Sequence, residues 1–404
     1  MNIGVILTKD KKEGGAFQYS LAISSLLERN NSREYNFIFF TTVKDNVRVL
    51  EKYNLHFHYL YWSNIDRCLS LILNSKLLSG ILAKLKINLE PKIDRVLRKY
   101  NIDLIYFLNP SDLALATNKY NYIFTVWDLC FLEHMEFPEV RVYGEFERRD
   151  ELYRLALRKS IRVITDSEAA KRNIIQRYNI DETRVLALPF LPSNVINISK
   201  NTHGEHDIDV KEKYNLKDKY IFYPAQFWPH KNHIYILEGL KLLKEKYKIP
   251  VSAVFSGSDK GNLQFVLKKA KEFGLENQIH CIGFVDDSEL AYLYAQALAL
   301  VMPTYFGPTN IPPLEAFMMN CPVLYSDLPG LREQAKDAAL FLDLRDPESM
   351  CRQLLKVIEK SPEISTLTAN GKRKIESIML MQKNYIEELK AVLDDYSLKL
   401  KTWK

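Results

Sequence analysis

Short, continuously apolar runs alternate with amphipathic segments along most of the chain. Runs such as Met1–Leu7 lack the strict alternation of a half-exposed strand, and they are typical of strands buried in a parallel sheet. The segments between them carry apolar residues at helical spacing, so the sequence predicts an α/β fold with parallel sheets wrapped by helices. Val140–Lys159 is predicted to be one long, charged, solvated helix. Ser167 is predicted to cap the helix that follows it.

One polar stretch divides this pattern. Ser193–Lys213 is polar and weakly patterned, and regular alternation resumes after it. A chain of 404 residues is too long for one compact core and suits two domains. His203 and His206 lie in this stretch, but such a pair in a linker is far more often without function than a metal site. We therefore predict two Rossmann-like domains, with boundaries at 1–195, 196–215 for the linker, 216–375, and 376–404 for a C-terminal helix.

Composition and charge narrow the function only slightly. The net charge of +6 is a mild basic excess; it does not imply nucleic acid, and it is compatible with sugar nucleotides, lipid phosphates or an anionic membrane face. The five cysteines have no paired spacing, which favours reduced thiols over disulfides or a zinc site. The N-terminal apolar run precedes its charges, and no run of ~18 apolar residues could span a bilayer. We therefore expect a cytoplasmic protein.

The most informative stretch is Val301–Gly330. Its apolar start, which ends at Pro303, predicts a buried strand followed by a loop rich in Gly, Pro, Thr and Asn. Because a residue before proline is pushed out of the helical region, we predict that the next helix begins at Pro313, with Glu315 in its first turn. A strand end, a loop and a helix N-terminus form the usual ligand crevice of a parallel sheet. An anion there would be held by the loop amides of Thr309, Asn310 and Ile311.

Two other predicted strand ends carry candidate site residues. In the second domain, a loop with Gln226 and Lys231 follows a strand, and a lysine near a helix start is at the unfavourable end of the dipole, which favours a function for it. In the first domain, a strand delivers Trp127 and Asp128 to its end. The tryptophan can stack on a sugar ring or be a core aromatic, and Asp128 can serve a site or cap the following loop.

Two further segments allow alternative interpretations. Gly14 and Gly15 stand between the first predicted strand and the first helix; they can bring backbone close to a ligand, although a plain tight turn is the simpler explanation. Residues 67–87 are apolar and basic, without an acidic residue. They predict an amphipathic helix that either lies on an anionic membrane or packs on its own domain with its lysines in water.

Seven residues around the predicted loop and helix match a known signature: Pro303, Pro312, Leu314, Glu315, Ala316, Pro322 and Val323. In these residues the chain resembles the retaining glycosyltransferases of family four, which are two-domain enzymes of the GT-B fold. The family's first glutamate falls on Gly307, and an arginine usual in the family falls on Gln226. The wording GPTNIPPLEA resembles a subgroup that assembles bacterial surface polysaccharides, so we interpret these departures as a variant donor site.

The resemblance implies a role for each candidate residue. Glu315 would hold the donor ribose and Lys231 the donor diphosphate, and with Asp128 they form the implied catalytic set. Trp127 stands where the family usually has a histidine. The implied donor contacts are Gln226, Lys231, Gly257, Ile282, Phe284, Thr309, Asn310, Ile311 and Glu315. The implied acceptor side consists of Gly14, Gly15, Trp127 and Asp128. The final helix would return to the first domain, and the lipid-linked acceptors of many such enzymes favour the membrane interpretation of residues 67–87.

The resemblance also implies an activity. A hexose or deoxyhexose, with mannosyl or rhamnosyl groups favoured, would pass from a nucleotide diphosphate sugar to a saccharide or lipid-linked acceptor with retention, in O-antigen or other surface polysaccharide synthesis. No aspartate-rich motif stands at a predicted strand end, so we expect no cofactor and no metal, with protein donors stabilising the leaving diphosphate. Two alternatives stay open: a sugar-nucleotide epimerase of the same fold, and a non-catalytic sugar-nucleotide-binding subunit of a membrane assembly.

Overall fold

The structure is a computed structural model that describes residues 1–68, 81, 84, 85, 90–117, 119–190, 209–216, 219–307 and 309–404. The chain forms two compact units. Unit 1 consists of Met1–Leu129, Tyr143–Pro189 and Met381–Lys404, and unit 2 of Cys130–Val142 and Phe190–Leu380. Within the described ranges, no helix is long and apolar enough to cross a membrane.

Unit 1 is built on a seven-stranded parallel sheet. Its strands are β1 (Asn2–Leu7), β2 (Asn36–Thr41), β3 (Phe57–Tyr59), β4 (Leu104–Phe107), β5 (Tyr122–Thr125), β6 (Arg162–Thr165) and β7 (Val185–Ala187). Their order across the sheet is β3-β2-β1-β4-β5-β6-β7, and every pair is parallel. The first strand therefore lies between the second and the fourth, as in the Rossmann fold.

Unit 2 repeats this arrangement with six parallel strands. They are β8 (Tyr220–Pro224), β9 (Ser252–Ser256), β10 (Ile279–Gly283), β11 (Leu300–Met302), β12 (Val323–Ser326) and β13 (Leu340–Leu342). The order is β10-β9-β8-β11-β12-β13, and every pair is again parallel. The prediction of two Rossmann-like parallel sheets is confirmed.

Helices connect the strands in both units. In chain order they are α1 (Gly15–Arg29), α2 (Lys44–Glu51), α3 (Lys92–Lys99), α4 (Leu113–Ala116), α5 (Cys130–Glu133), α6 (Pro138–Arg141), α7 (Glu145–Lys159), α8 (Glu168–Tyr178), α9 (Val210–Lys213), α10 (His233–Glu245), α11 (Leu263–Glu272), α12 (Asp287–Gln296), α13 (Ile311–Met318), α14 (Pro329–Ala335), α15 (Pro347–Ile358) and α16 (Pro362–Leu400). Short 3₁₀ turns occur at Lys11–Glu13, Val142–Gly144, Glu182–Arg184, Pro229–Lys231 and Lys336–Ala338. The predicted cap is confirmed, since the Ser167 hydroxyl accepts a hydrogen bond from the amide of Ala170 at the start of α8.

The sheets are buried because their strands are apolar on both faces. Every residue of β4 and β5 is buried, as expected for a parallel sheet covered by helices. In unit 1 the C-terminal part of α16 packs against this sheet. The hydroxyls of Tyr385 and Tyr106 are hydrogen-bonded, and the Tyr396 hydroxyl donates to the carbonyl of Asp103 at 3.1 Å.

The prediction of one helix from Val140 to Lys159 is wrong. The structure ends α6 at Arg141 and begins α7 at Glu145. Tyr143 and Gly144 between them have φ angles of 57° and 68°, a left-handed conformation through which a right-handed helix cannot continue. The break has a consequence for the units, because α5 and α6 belong to unit 2 while α7 belongs to unit 1.

Two predicted segments fall partly or mostly outside the described residues. Of the linker 196–215, only 209–215 is described, and it contains the short helix α9. Of the predicted membrane segment 67–87, the structure describes only residues 67, 68, 81, 84 and 85.

Candidate functional site

The order of strands in unit 2 fixes where a ligand can bind. Strands β8 and β11 are neighbours. The chain leaves β8 towards β9, on one side of this pair, and leaves β11 towards β12, on the other side. The boundary between β8 and β11 is therefore the switch point of the sheet. In open parallel sheets, ligands bind at this point, beyond the carboxyl ends of the strands. The loops that leave this edge begin at Ala225 after β8 and at Pro303 after β11. These are the loops that carry the predicted donor residues.

The loop after β8 is held by short-range hydrogen bonds. The Trp228 indole donates to the side-chain oxygen of Gln226 at 3.0 Å, and the Tyr223 hydroxyl donates to the carbonyl of Lys231 at 2.9 Å. Lys231 ends the 3₁₀ turn that precedes α10, and it is half-buried. The loop thus carries a lysine on a fixed backbone at the switch point.

The loop after β11 is tied to its neighbours on both sides. The Tyr305 amide donates to the carbonyl of His230 at 2.9 Å, and the Ser326 hydroxyl donates to the carbonyl of Thr304 at 2.7 Å. Gly307 has a φ angle of 106°, and a Cβ atom there would lie 2.8 Å from the side-chain nitrogen of Asn310. A glutamate at Gly307 would therefore not fit this loop conformation.

The start of helix α13 differs from the prediction. The helix begins at Ile311 and not at Pro313, so Glu315 lies beyond its first turn. Proline is tolerated here because the first amides of a helix have no partner within it. The Asn310 amide, one of the predicted anion donors, already donates to Gln334 Oε1 at 3.0 Å. A phosphate would therefore have to displace Gln334 to use that amide.

Glu315 is buried beside a tyrosine. Its side chain accepts a hydrogen bond from the Tyr294 hydroxyl at 2.8 Å, through Oε2, and the residue is only 6% exposed. Burial, together with the Glu315 charge, raises the pKa of Tyr294 well above its usual value, so the hydroxyl stays a donor. The tyrosine holds one carboxylate oxygen of Glu315 in place.

Three of the predicted donor contacts, Gly257, Ile282 and Phe284, lie along the same edge of the sheet. Gly257 follows β9, and its amide donates to the Gly283 carbonyl at 2.8 Å. Ile282 is part of β10, the strand at the edge of the sheet, and Phe284 directly follows that strand with 55% of its surface exposed. A Cβ on Gly257 would lie 2.6 Å from the Ala225 carbonyl oxygen, so this glycine has a packing role in the structure.

A buried histidine begins helix α10. His233 stacks on Phe227, with ring centroids 4.5 Å apart, and meets Phe255 edge-on at 5.0 Å. Burial, reinforced by the charges of Lys231 and His230, lowers the pKa of His233 to about 3. The ring is therefore neutral at physiological pH and belongs to the aromatic core.

The sequence prediction missed a pair of ionisable residues in unit 2. His230 Nδ1 lies 2.6 Å from Glu139 Oε1, and the backbone amide of His230 donates to the same oxygen at 3.1 Å. Glu139 lies on α6, 91 positions earlier in the chain. No local spacing could have indicated the pair, because the two residues meet only through the packing of Cys130–Val142 within unit 2.

The candidate acceptor residues lie in unit 1, at the carboxyl edge of its own sheet. Gly14 precedes α1 with a φ angle of 62°, and Gly15 is the first residue of that helix. The Lys9 ammonium lies 5.9 Å from the centre of the Trp127 ring. Asp128 forms a 3.0 Å ion pair with Arg149, so it is not simply the cap of the following loop. Lys9 and Arg149 were missed because their partners are distant in sequence.

Across the described ranges, no three His, Cys, Asp or Glu side chains are grouped so that they could hold a metal ion. Charge near the switch point of unit 2 instead comes from Lys231 and from the pair formed by Glu139 and His230.

Comparison with protein families identifies the stretch that carries the switch point. Residues 205–374 match the family described as glycosyl transferases group 1. This stretch is similar to the group 1 glycosyltransferases. The matched residues include Lys231, Glu315 and the other predicted donor residues, whereas Glu139 lies outside them.

Similar proteins extend this finding. The chain is 26% identical over 223 residues to the O-antigen chain mannosyltransferase RfbU of Salmonella typhimurium, which covers 55% of this chain and 56% of the relative. It is 28% identical over 211 residues to the O-antigen chain mannosyltransferase B of Escherichia coli, covering 52% and 54%. The chain thus spans about half the length of the curated relatives it matches.

A solved structure matches nearly the whole chain. Anabaena Alr3699/HepE in complex with UDP-glucose has a TM-score of 0.71 and 16% sequence identity, and the match covers 97% of this chain and 100% of that chain. At this identity the likeness shows the fold alone. With the two parallel sheets, it confirms the predicted GT-B fold class.

Proposed function

We propose that the protein is a retaining glycosyltransferase that transfers a mannosyl group from a nucleotide diphosphate sugar to a saccharide or lipid-linked acceptor, in O-antigen or related surface polysaccharide synthesis. The observation that carries this proposal is the group 1 match over residues 205–374, which spans the switch point of unit 2. The choice of a mannosyl group is supported by the names of the two relatives, each aligned over about half its length.

The proposed roles follow the positions of the side chains. Lys231 would bind the donor diphosphate, because it is a cation on a fixed loop at the switch point. Glu315 would bind the donor ribose, with Tyr294 holding one of its oxygens. Trp127 and Asp128 would serve the acceptor. The acceptor oxygen would form a new bond to the anomeric carbon as the bond from that carbon to the diphosphate oxygen breaks. The electrons of the broken bond stay on the diphosphate oxygen, and the leaving phosphate takes the acceptor proton. Protein donors would stabilise the leaving group without a metal.

The first experiment measures thermal stabilisation of the purified chain by GDP, UDP, dTDP and CDP sugars in the presence of EDTA. A donor at 100 times its dissociation constant adds about 2.7 kcal/mol of stability, so binding of one class is easily detected. We expect GDP-mannose to stabilise the protein and to be consumed with a lipid-linked oligosaccharide acceptor. Nuclear magnetic resonance of the product then reads the anomeric configuration. No stabilisation and no transfer with any donor would refute the proposal.

Residues 67–87 are proposed to bring the enzyme to the cytoplasmic face of a membrane. In that range, Ile81 and Leu85 are exposed by 45% and 62%, which suits an interfacial segment. Sedimentation with anionic and neutral vesicles tests the contact. Replacement of Lys84 and Lys86 by glutamine should reduce binding to anionic vesicles, and unchanged binding would contradict the proposal.

A further inference from the structure

The pair formed by Glu139 and His230 is fixed within unit 2. The imidazole stacks on Phe306 with ring centroids 4.1 Å apart and planes 13° from parallel, and it lies nearly parallel to Trp228 at 6.4 Å. His230 is 9% exposed, and the Glu139 side chain is 10% exposed. The ring therefore has one orientation, with Nδ1 towards the carboxylate.

This orientation decides what His230 can do. Because Nδ1 faces a carboxylate oxygen at 2.6 Å, that nitrogen carries a proton, and only Nε2 can serve a ligand. If the ring is neutral, Nε2 is an acceptor; if the ring is protonated, Nε2 is a charged donor. A phosphate can use only the second form.

The surroundings favour the protonated ring. Burial alone raises the pKa of Glu139, but hydrogen bonds from the His230 side chain and from backbone amides lower it below its usual value. The carboxylate is therefore ionised, and its Oε2 is buried without a partner in the described part of unit 2. A buried carboxylate stabilises a positive charge beside it.

The neighbouring histidines and the two loops that leave the switch point supply one other cation, Lys231. His233, three residues on, is neutral because its pKa is lowered to about 3. His134 lies on the Phe306 ring, with centroids 5.6 Å apart, and pairs with Glu136 at 3.5 Å. In the sequence, Lys231 is the only lysine or arginine in residues 225–232, and residues 303–310 contain neither.

We propose that His230, held by Glu139, supplies the second positive charge that binds the diphosphate of the donor and stabilises it as a leaving group. This inference rests on the proposed function. His230 is adjacent to Lys231 on the same loop at the switch point, and Gln226 stands where the resemblance places an arginine. During transfer, the electron pair of the broken bond goes to the phosphate and the acceptor proton goes to that phosphate. His230 keeps its proton throughout and only stabilises charge.

The test uses the purified full chain and the dissociation constants of GDP, UDP, dTDP and CDP, with the corresponding nucleosides as controls that lack phosphate. In His230→Gln, affinity for the diphosphate that wild type binds should fall roughly ten- to hundredfold, the range for one charge-assisted hydrogen bond. Affinity for its nucleoside should not change. His230→Arg should keep the diphosphate affinity, because arginine restores the charge and the pair with Glu139.

The pH dependence separates a charge from a structural role. Histidine loses its proton as the pH rises, whereas arginine keeps its charge. From pH 6 to pH 8.5, diphosphate affinity should therefore fall more in wild type than in His230→Arg. In Glu139→Gln the imidazolium loses its stabilising carboxylate. The diphosphate affinity of Glu139→Gln should therefore lie below that of wild type at pH 6 and further below it at pH 7.5, because burial without the carboxylate disfavours the charged ring.

Each remaining outcome is decisive. Lys260→Ala is the matched control for loss of a cation, since Lys260 Nζ lies 5.8 Å from the Trp228 ring. If Lys260→Ala lost as much diphosphate affinity as His230→Gln, the assignment to His230 would be overturned. Equal loss of nucleoside and diphosphate in His230→Gln, without rescue by His230→Arg, would show a structural role and overturn the proposal. If wild type binds none of GDP, UDP, dTDP and CDP, the proposed function fails and this inference fails with it. If wild type binds and His230→Gln binds equally well, only this inference fails.

Discussion

Replacement of Gly257 by alanine tests how the loop after β8 is held. Gly257 has a φ angle of 141°, and an added Cβ would lie 2.6 Å from the carbonyl oxygen of Ala225 and 2.8 Å from the amide nitrogen of Gln226. Both contacts are to backbone, so a side-chain rotation cannot relieve them. The loop from Ala225 to Lys231 must move instead, and with it the proposed diphosphate site.

The expected cost has two parts. The unfavourable φ angle costs roughly 1–2 kcal/mol for a residue with a Cβ. Overlap with packed neighbours adds roughly 1–3 kcal/mol. Gly261→Ala is the matched control, because Gly261 has a φ angle of 97° but an added Cβ would have no atom within 4 Å. Only Gly257→Ala should carry the second part of the cost.

The assay is urea denaturation of wild type and both variants, combined with the dissociation constant of the donor nucleotide. Gly257→Ala should lose more free energy of unfolding than Gly261→Ala and should bind the nucleotide more weakly. Gly261→Ala should lose only the smaller amount and bind normally. If the two variants are destabilised equally and Gly257→Ala binds as wild type does, the close backbone contact does not determine the site.

Three other predictions test unit 2 at separate points. Tyr294→Phe removes the donor to Glu315, which should cost roughly 1.5–3 kcal/mol in denaturation and weaken nucleotide affinity, whereas Glu315→Gln keeps an accepting oxygen and should cost less stability. His233 has its pKa lowered from 6.5 to about 3, so stability should fall as the pH drops from 6.5 towards 3; in His233→Phe the melting temperature should change less over that range. Lys231→Ala should lose most transferase activity, and Lys241→Ala on the following helix should keep it.

Specific results would contradict these expectations. Equal stability of Tyr294→Phe and wild type would mean that the tyrosine does not hold the carboxylate. An identical loss of melting temperature with acid in wild type and His233→Phe would assign the acid sensitivity to other groups. Full transferase activity in Lys231→Ala would remove this lysine from the donor site.

Local sequence patterns predicted the strands and most helices well, because buried parallel strands are marked by short apolar runs. The departures have non-local causes. The break at Tyr143 places a non-glycine residue at a φ angle of 57°, which no propensity indicates. The start of α13 at Ile311 accompanies contacts between Asn310 and Gln334, 24 residues apart. The pairing of Glu139 with His230 depends on the packing of a segment 91 residues earlier in the chain.

The two departures from the family signature are built into the hydrogen bonding of unit 2. Gln226 accepts from the Trp228 indole, and the amide of Gly307 donates to the Cys130 sulfur at 3.1 Å. A site that had merely lost its function would be expected to leave such partly buried polar groups without partners, since nothing would preserve their geometry. Here the loop that excludes a glutamate is held by specific contacts, and a histidine paired with a carboxylate stands beside Lys231. This arrangement favours an altered way of binding the diphosphate over the loss of binding.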